Sequence, residues 1–418
     1  MTAALDLHLS EAQRELYERT QRLAGETLKP IAAAGEPGRV NRPLIGALAD
    51  HGLLDRLFKA DGVSAIELCL IREALARSCT EAETAFALQG LGAYPIRQAG
   101  SAEMRERWIP RVATGTAVAG FALTEAGAGS DPAALSLRAE PDRDGGYRLT
   151  GEKLWISNAP EADVYTVFAR TDAQAPAAGG AGGAGGARGA GGAGGAGSAR
   201  GARGLTAFAI PGDADGLGGE PRQLLAAHSI GSLTFDGVYA RPEQVLGEPG
   251  GGFRVAMRTL DLFRPSVGAF AIGMARTALA LATDYALVRR TFGKPLSEHQ
   301  VIAHRLAELS AQTEAARLLV HQAAAAHDAG VADPAVAAMA KLLATETAQQ
   351  AVDAALQFHG ASGLERGHPL EHLYREVRAP RIYEGASEIQ REIIARSMLR
   401  AAQAVPTPGD AATARGSR

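Results

Sequence analysis

Apolar residues recur every three or four positions over most of the chain, and that rhythm gives way to short runs only in its middle third. Residues 9 to about 118 read as helices. Leu16, Leu23 and Ala24 share helical spacing between Glu11 and Leu28, with Ser10 as the N-cap. A second helix covers Arg42 to His51 and is closed by Gly52. A third runs from Val63 to Cys79 with Ile66, Leu70, Ile71 and Leu75 on one face. Met104 to Val112 carries Trp108, and Pro110 predicts an end near that point. From about Gly120 the texture changes. Phe121–Thr124, Tyr147–Thr150, Lys153–Ile156, Asp163–Arg170, Leu205–Ile210 and Ser232–Phe235 are rich in β-branched or aromatic residues and separated by Gly, Asp, Pro and Asn. That pattern predicts a small all-β domain. From Gly252 onward Phe253–Val288, His299–Ala329, Pro334–Phe358 and Ile389–Ala402 are long, alanine-rich and joined by short loops. They predict an antiparallel bundle.

The pattern divides the chain into a helical domain over 1–120, a β domain over 121–248, a helical bundle over 249–403 and a disordered tail over 404–418. Inside the β domain, Ala177 to Gly204 consists almost wholly of Gly, Ala and Arg. With no apolar face to bury, it predicts a disordered insertion. Its match to a nucleotide-binding glycine pattern (Gly180, Gly182, Gly185) is what any glycine tract produces, and no P-loop Lys-Ser/Thr follows.

At 418 residues the chain can bury a sizeable core, and 46% hydrophobic with 21% charged residues is a globular profile. A net charge of −3 offers no basic field for nucleic acid or anionic lipid. Cys69 and Cys79 form no C-x-x-C pair, which argues against a disulfide framework and for a reducing cytoplasm. The first 20 residues do not read as a secretory signal, and no apolar run is expected to reach the ~18 residues of a membrane span. No metal site is expected.

Five segments carry candidate chemistry. Phe121-Ala-Leu-Thr-Glu-Ala-Gly-Ala-Gly-Ser-Asp131 ends a strand in a glycine-rich turn. Backbone N–H groups with the Thr124 and Ser130 hydroxyls could receive a phosphate or a polar ring edge there, or Ser130 or Asp131 could simply cap the turn. In Gly151–Asn158, strand alternation places Trp155 and Ser157 on one face, either as a ligand platform or as core and surface residues. Tyr285–Leu296 ends a helix at Arg289 and Arg290 before a turn at Gly293 and Pro295, and Gln300 opens the next helix. The two arginines could bind a ligand or offset the helix dipole. Gln357–Leu364 is built of small residues that allow close approach. Finally, Glu384 sits among apolar neighbours where the helix of Ile389, Ile393 and Ile394 begins. Partial desolvation would raise its pKa towards that of a working general base, or it is an ordinary first-turn acid.

In this order and spacing the segments closely resemble the acyl-CoA dehydrogenase family of flavoproteins, from about Leu9 to Arg400 apart from the Gly/Ala insertion. The resemblance implies an α+β, mostly α fold: an N-terminal helical domain, a central β-barrel and a C-terminal four-helix bundle, with FAD between barrel and bundle. Leu123 and Thr124 would meet the flavin, Thr124 at its pyrimidine edge, with Ser130 at the pyrophosphate. Trp155 and Ser157 would flank the ring. Arg289, Phe292, His299, Gln300, Gln357, Gly360 and Ala361 match positions holding the adenine and pyrophosphate half, reached across a dimer interface, and Ala386 and Glu388 complete the cofactor set. Glu384 matches the base that takes the α-proton of an acyl thioester. Ser130, Asp261, Phe263, Arg264, Tyr383 and Gly385 match substrate positions. Other branches place the base one residue before the arginine, where this chain has Phe263. Ala386, Ala361 and Ser157 replace the usual threonine, glycine and threonine, and the usual Gly-Gly loop around Leu57–Ser64 is missing or shortened.

The implied reaction is α,β-dehydrogenation of an acyl-CoA, or of a thioester on acyl carrier protein, to the trans-2-enoyl thioester. Electrons would pass to an electron-transfer flavoprotein, and the assembly would be a homotetramer, a dimer of dimers. An oxygen-using flavin oxidase or monooxygenase on the same fold is the alternative, and a non-catalytic thioester-binding protein the third. Deleting Ala177–Gly204 is expected to leave folding and yellow flavin content intact, read from the visible spectrum of the purified protein. Loss of FAD in that deletion would show that the insertion is not a passive loop.

Overall fold

The computed structural model describes residues 8–59, 62–171 and 204–403. The Gly/Ala tract lies outside them except for Gly204, as do the C-terminal tail and two residues of the 57–64 loop. Contacts divide the chain into two compact units, Met1–Phe263 and Arg264–Arg418.

The first unit opens with helix α1, Glu11–Leu23. Ser10 Oγ accepts from the Gln13 N–H at 3.3 Å while Gln13 Oε1 accepts from the Ser10 N–H at 2.9 Å, so the expected cap is a full capping box. The chain does not stay α-helical to Leu28: Ala24–Leu28 widens into a π turn before a short helix, Lys29–Ala33. Gly25 and Pro30 bracket that turn, and Pro30 has no N–H to continue the regular ladder. Helix α2, Arg42–Asp50, is capped by Asn41 and closed at Gly52, whose φ is 71°. The expected third helix, Val63 to Cys79, is helix α3, Ala65–Ala76, which starts from Ser64. The pattern missed a further helix, α4, Thr80–Ala99, that follows it after a break. Nearly all of α3 is buried, including the ion pair Arg72–Glu83 to α4, so it is not the one-faced helix its spacing predicts. Both thiols, Cys69 and Cys79, are free and buried, and burial pushes the Cys79 thiol up to about 12. Helix α5, Ala102–Ala113, runs past Pro110 by most of a turn. The Thr114 N–H and hydroxyl both reach the Pro110 carbonyl, at 3.0 and 2.9 Å, and close the helix there.

Among the described residues eight strands follow: β1 Ala119–Ala122, β2 Arg138–Pro141, β3 Tyr147–Ser157, β4 Val164–Arg170, β5 Leu205–Pro211, β6 Leu217–Gly218, β7 Ile230–Ala240 and β8 Val245–Leu246. They form one sheet of order β6-β7-β3-β2-β4-β5-β8, with β1 parallel to β4. Two runs expected as separate strands, 147–150 and 153–156, are one strand with register shifts against β7 at Leu149/Gly151 and Lys153/Ile156. β4 is buried at every position, which accounts for its unbroken apolar run. Gly204, the last residue of the expected insertion, is a turn residue whose carbonyl accepts from the Thr171 N–H at 2.9 Å beside the β4–β5 pairing. The core gathers Ile96, Trp108, Val112, Phe168 and Leu246. Gly92 sets the approach of α4 to β1: a Cβ there would lie 2.7 Å from the Gly120 nitrogen.

Helix α6, Gly252–Val288, crosses the division between the units. By length and composition it could cross a membrane, although no uninterrupted apolar run does, and 67% of its apolar window is buried inside the structure. In the second unit its later turns are joined by α7 Gln300–Asp328, α8 Pro334–His359, α9 Pro369–Val377 and α10 Ser387–Gln403. The sequence pattern missed α9. Alanines at 275, 278, 282, 344, 348, 351 and 355 are fully or almost fully buried, and Gly268 packs so closely that a Cβ would meet Val320 at 2.7 Å.

Gly92→Ala is expected to destabilise the first unit by about 1–3 kcal/mol through overpacking against backbone. Gly46→Ala, in α2 with open space around the added Cβ, should stabilise it by about 0.4–1 kcal/mol. Thermal midpoints of the two variants should therefore move in opposite directions.

Candidate active site

Among the described residues, the non-glycine residues with positive φ are Trp155 (55°), Asn158 (64°), Phe292 (52°) and Glu384 (50°). An L-residue in that region costs on the order of 1–3 kcal/mol unless its surroundings impose it, and such strain collects at functional sites. All four fall in segments singled out by sequence.

In the first unit, the Thr124 turn is held from below by a buried ion pair. Lys153 Nζ donates to Glu125 Oε1 at 2.8 Å and to the Leu123 carbonyl at 2.9 Å. Glu125 also accepts from the Ser136 N–H and hydroxyl and from the Leu137 N–H, at 2.7, 2.6 and 3.0 Å. Burial alone would raise the Glu125 pKa, but the Lys153 charge and these hydrogen bonds hold it below the usual carboxylate range. Burial pushes the Lys153 ammonium well down, against the pull of Glu125. The same strand then donates its Leu154 N–H to the Thr124 carbonyl at 3.0 Å, which ties the turn to Trp155. The bulge between Lys153 and Ile156 breaks simple alternation. Both of those residues are buried, while Trp155 between them is 48% exposed and Ser157 half-buried. Asn158 is fixed by its own amide, which donates to the Ala119 carbonyl at 2.9 Å. Asp131 accepts from the Ala133 N–H and caps the next turn, leaving Ser130 exposed, and a Cβ at Gly127 or Gly129 would meet nothing. A strained, half-open indole beside an uncrowded turn rich in N–H and hydroxyl groups fits a flat, polar-edged ring such as a flavin.

In the second unit, strands β9 Arg290–Thr291 and β10 Lys294–Pro295 form a two-residue hairpin whose corners are Phe292 and Gly293, both at positive φ. Asn-Gly is the usual occupant of such a turn. Here it presents a phenylalanine that is 96% exposed, edge-on to His299. Arg289, Gln300, Gln357, Gly360 and Ala361 are exposed as well, and Gly360 ends α8 with φ 61°. The cofactor set predicted for this unit is thus a surface. Tyr285 stacks on His359 at 4.1 Å behind it.

Glu384 is not a first-turn residue, since α10 begins only at Ser387. It is half-buried in a turn with Gly385, whose φ of 91° is one that L side chains rarely adopt, and an added Cβ there would displace the Gln390 amide. Lys341, in α8 and fully buried, donates to the Tyr383 carbonyl at 3.1 Å and to the Gly385 carbonyl at 2.6 Å, one on each side of Glu384. Gln390 adds a donation to the Gly385 carbonyl at 2.8 Å. Glu346, also in α8, accepts from the Ser387 hydroxyl at 2.7 Å and pairs with Arg381 at 2.9 Å and Arg391 at 3.6 Å. Burial would raise the Glu346 pKa, but the hydrogen bonds from Ser387 and Arg381 and the two arginine charges keep it lowered.

Of the remaining predicted residues, Tyr383 is exposed, Ala386 half-buried and Glu388 exposed beside the turn. Arg264 is buried in α6. Asp261 lies half-buried and Phe263 buried on the preceding turn of α6, in the first unit. The Phe263 ring lies edge-on to Tyr94 at 6.2 Å and fills the space where Gly90 has no side chain. Sequence reasoning missed Lys341, Glu346 and Gln390, and gave Glu125 and Lys153 no role. A lone lysine inside the alanine-rich run Ala337-Ala-Met-Ala-Lys-Leu-Leu-Ala344 was the available signal.

Residues 10–116, 120–184 and 250–399 match the N-terminal, middle and C-terminal domains of acyl-CoA dehydrogenase. Cyclohexane-1-carbonyl-CoA dehydrogenase of Geobacter metallireducens is 33% identical over 403 residues, 94% of this chain and 99% of that one. Butyryl-CoA dehydrogenase from Megasphaera elsdenii superposes with a TM-score of 0.82 at 30% identity, covering 94% of this chain and 99% of the other. The FAD complex of PigA does so with 0.81 at 25%, over 93% and 98%. With its helical, sheet and helical parts and its strained aromatic and acidic turns, the chain belongs to the acyl-CoA dehydrogenase family. It is accordingly an FAD-dependent oxidoreductase.

Lys153→Met leaves Glu125 buried without its cation and is expected to destabilise the first unit by about 3–5 kcal/mol and to lower flavin content. In the wild type the Glu125 contribution is full above the unfolded carboxylate pKa and is lost as pH falls through its lowered folded value. Acid unfolding monitored from pH 6 downward should show that loss, and the variant should lack it.

Proposed function

We propose that the protein dehydrogenates an acyl-CoA between Cα and Cβ, with Glu384 as the base. The observation that carries this reading is the Glu384 turn: a half-buried carboxylate at φ 50°, secured on both sides by one buried lysine. A carboxylate so restrained meets the geometric demand on a general base, which must hold its oxygen within reach of one particular C–H bond. Glu384 takes the α-proton and the Cα–H electron pair becomes the new double bond. FAD, when bound, supplies the acceptor for the hydride that leaves Cβ. The product is the trans-2-enoyl thioester. The thioester carbonyl gains negative charge as the proton leaves, and the Glu384 N–H is the donor assigned to it. Phe263, buried and unable to take a proton, stands where other branches have a base, which supports Glu384 further.

Leu123, Thr124, Trp155 and Ser157 are assigned to the flavin ring and Ser130 to the pyrophosphate. Arg289, Phe292, His299, Gln300, Gln357, Gly360 and Ala361 are assigned to the adenine and pyrophosphate half, and Ala386 and Glu388 complete the cofactor set. The near-complete exposure of Phe292 supports a cofactor completed by a second subunit, because a phenylalanine held in a strained turn gains nothing from water. We assign a homotetramer built from dimers, an electron-transfer flavoprotein as acceptor and a cytoplasmic setting. Acyl carrier protein is the alternative carrier of the thioester.

Glu384→Gln is expected to keep FAD and bind acyl-CoA while losing turnover by about 10²–10⁴-fold or more. Anaerobic bleaching of the flavin by butyryl-CoA, cyclohexane-1-carbonyl-CoA and butyryl-acyl carrier protein reads both the loss and the preferred thioester. Wild-type bleaching by the glutamine variant would remove Glu384 from the mechanism, and rapid peroxide formation in air by the wild type would favour an oxidase.

A further inference from the structure

Lys341 is the most buried charge near the candidate base, and it holds the turn through main-chain oxygens. Its Nζ reaches the carbonyls of Tyr383 and Gly385 at 3.1 and 2.6 Å, and it is 0% exposed. A lysine placed there merely to fill space would sacrifice its hydration for no gain, whereas one that donates to two carbonyls fixes two peptide planes at once. Between those planes lie Glu384 and Gly385, both left-handed, and for Glu384 that is a conformation an unrestrained glutamate avoids. On the reading that Glu384 is the base, we propose that Lys341 is the positioning residue of the catalytic turn. Its ammonium clamps the flanking carbonyls, holds Glu384 left-handed and thereby aims the carboxylate.

The charge itself also bears on the turn. Four groups from the elements around Lys341 act on it: Glu384 of the turn, Arg264 of α6, Glu346 of α8 and Glu388 of α10. Burial pushes the ammonium down to about 8, Glu384 draws it back up, Arg264 pushes it down, and the other two acids draw it up. Below that pH the lysine is a cation with three donors beside the base. Above it the group becomes a neutral amine, with weaker donation to the carbonyls and no attraction for the Glu384 carboxylate. Turnover should therefore fall as pH rises through about 8, for a reason lying on α8 and not in the substrate.

The test compares wild type, Lys341→Met, Lys341→Arg and Glu384→Gln as flavin-loaded proteins. The probe is whichever of butyryl-CoA and cyclohexane-1-carbonyl-CoA bleaches the wild-type flavin faster. Lys341→Met should keep FAD stoichiometry, with KM within about threefold, while kcat falls at least ~10-fold. The α-deuterium isotope effect should rise, and amide exchange should accelerate over 382–387 in the absence of substrate. Lys341→Arg keeps the charge at all accessible pH, so it should restore most of kcat and move the alkaline loss of turnover beyond pH ~10. Wild-type kcat and isotope effect in Lys341→Met would overturn the proposal, and so would a loss of kcat only in proportion to lost FAD. If the methionine variant fails to fold, the arginine variant decides: an alkaline limb unchanged from wild type overturns the proposal. Full activity in Glu384→Gln would instead defeat the assignment of the base. An inactive Glu384→Gln beside a fully active Lys341→Met would defeat the role of Lys341 alone.

Discussion

A buried ammonium must find oxygen, and that requirement shapes both chemically important turns of this protein. Lys341 finds it in the carbonyls on either side of Glu384, and Lys153 in Glu125 and the Leu123 carbonyl. Taking either cation out of water costs several kcal/mol, and only good geometry at short charge-assisted hydrogen bonds offsets that cost. The consequence is rigidity. Neither turn can relax without stranding a charge in an apolar interior, so backbone conformations that would otherwise be rejected persist there.

That reciprocity explains where the strain lies. Trp155 follows Lys153 on the same strand and Asn158 comes directly after its end, and Glu384 lies between the two carbonyls that Lys341 holds. Phe292 belongs to a different class, fixed by a two-residue hairpin and pushed fully into solvent. Trp155 and Glu384 are restrained beside buried charge, and Asn158 by its amide hydrogen bond to the Ala119 carbonyl.

Much of this was legible in the sequence. The long alanine-rich helices followed from periodicity because their cores are uniform, and the segments with φ-strained residues were the ones that local chemistry marked. What was illegible had a physical cause in each case. Helix α4 is buried on several sides, is crossed by glycines at 90 and 92 and contains Pro95, so it shows no one-sided stripe. Pro110 signalled a helix end that the structure defers, because the last turn closes on the proline's own carbonyl. Strand β3 read as two because its bulge interrupts alternation. Lys341 was invisible because its partners are main-chain oxygens, which carry no sequence identity, some forty residues away.

The central claim is that Glu384 moves the α-proton, and it can be measured with hydride transfer removed. Enzyme whose flavin has been reduced beforehand cannot accept a hydride, so any exchange of the substrate's α-hydrogen with solvent reports proton abstraction alone. Incubated anaerobically with butyryl-CoA in deuterium oxide, the reduced wild type should load deuterium at Cα, and reduced Glu384→Gln should not. Equal α-deuteration by the two proteins would contradict the account.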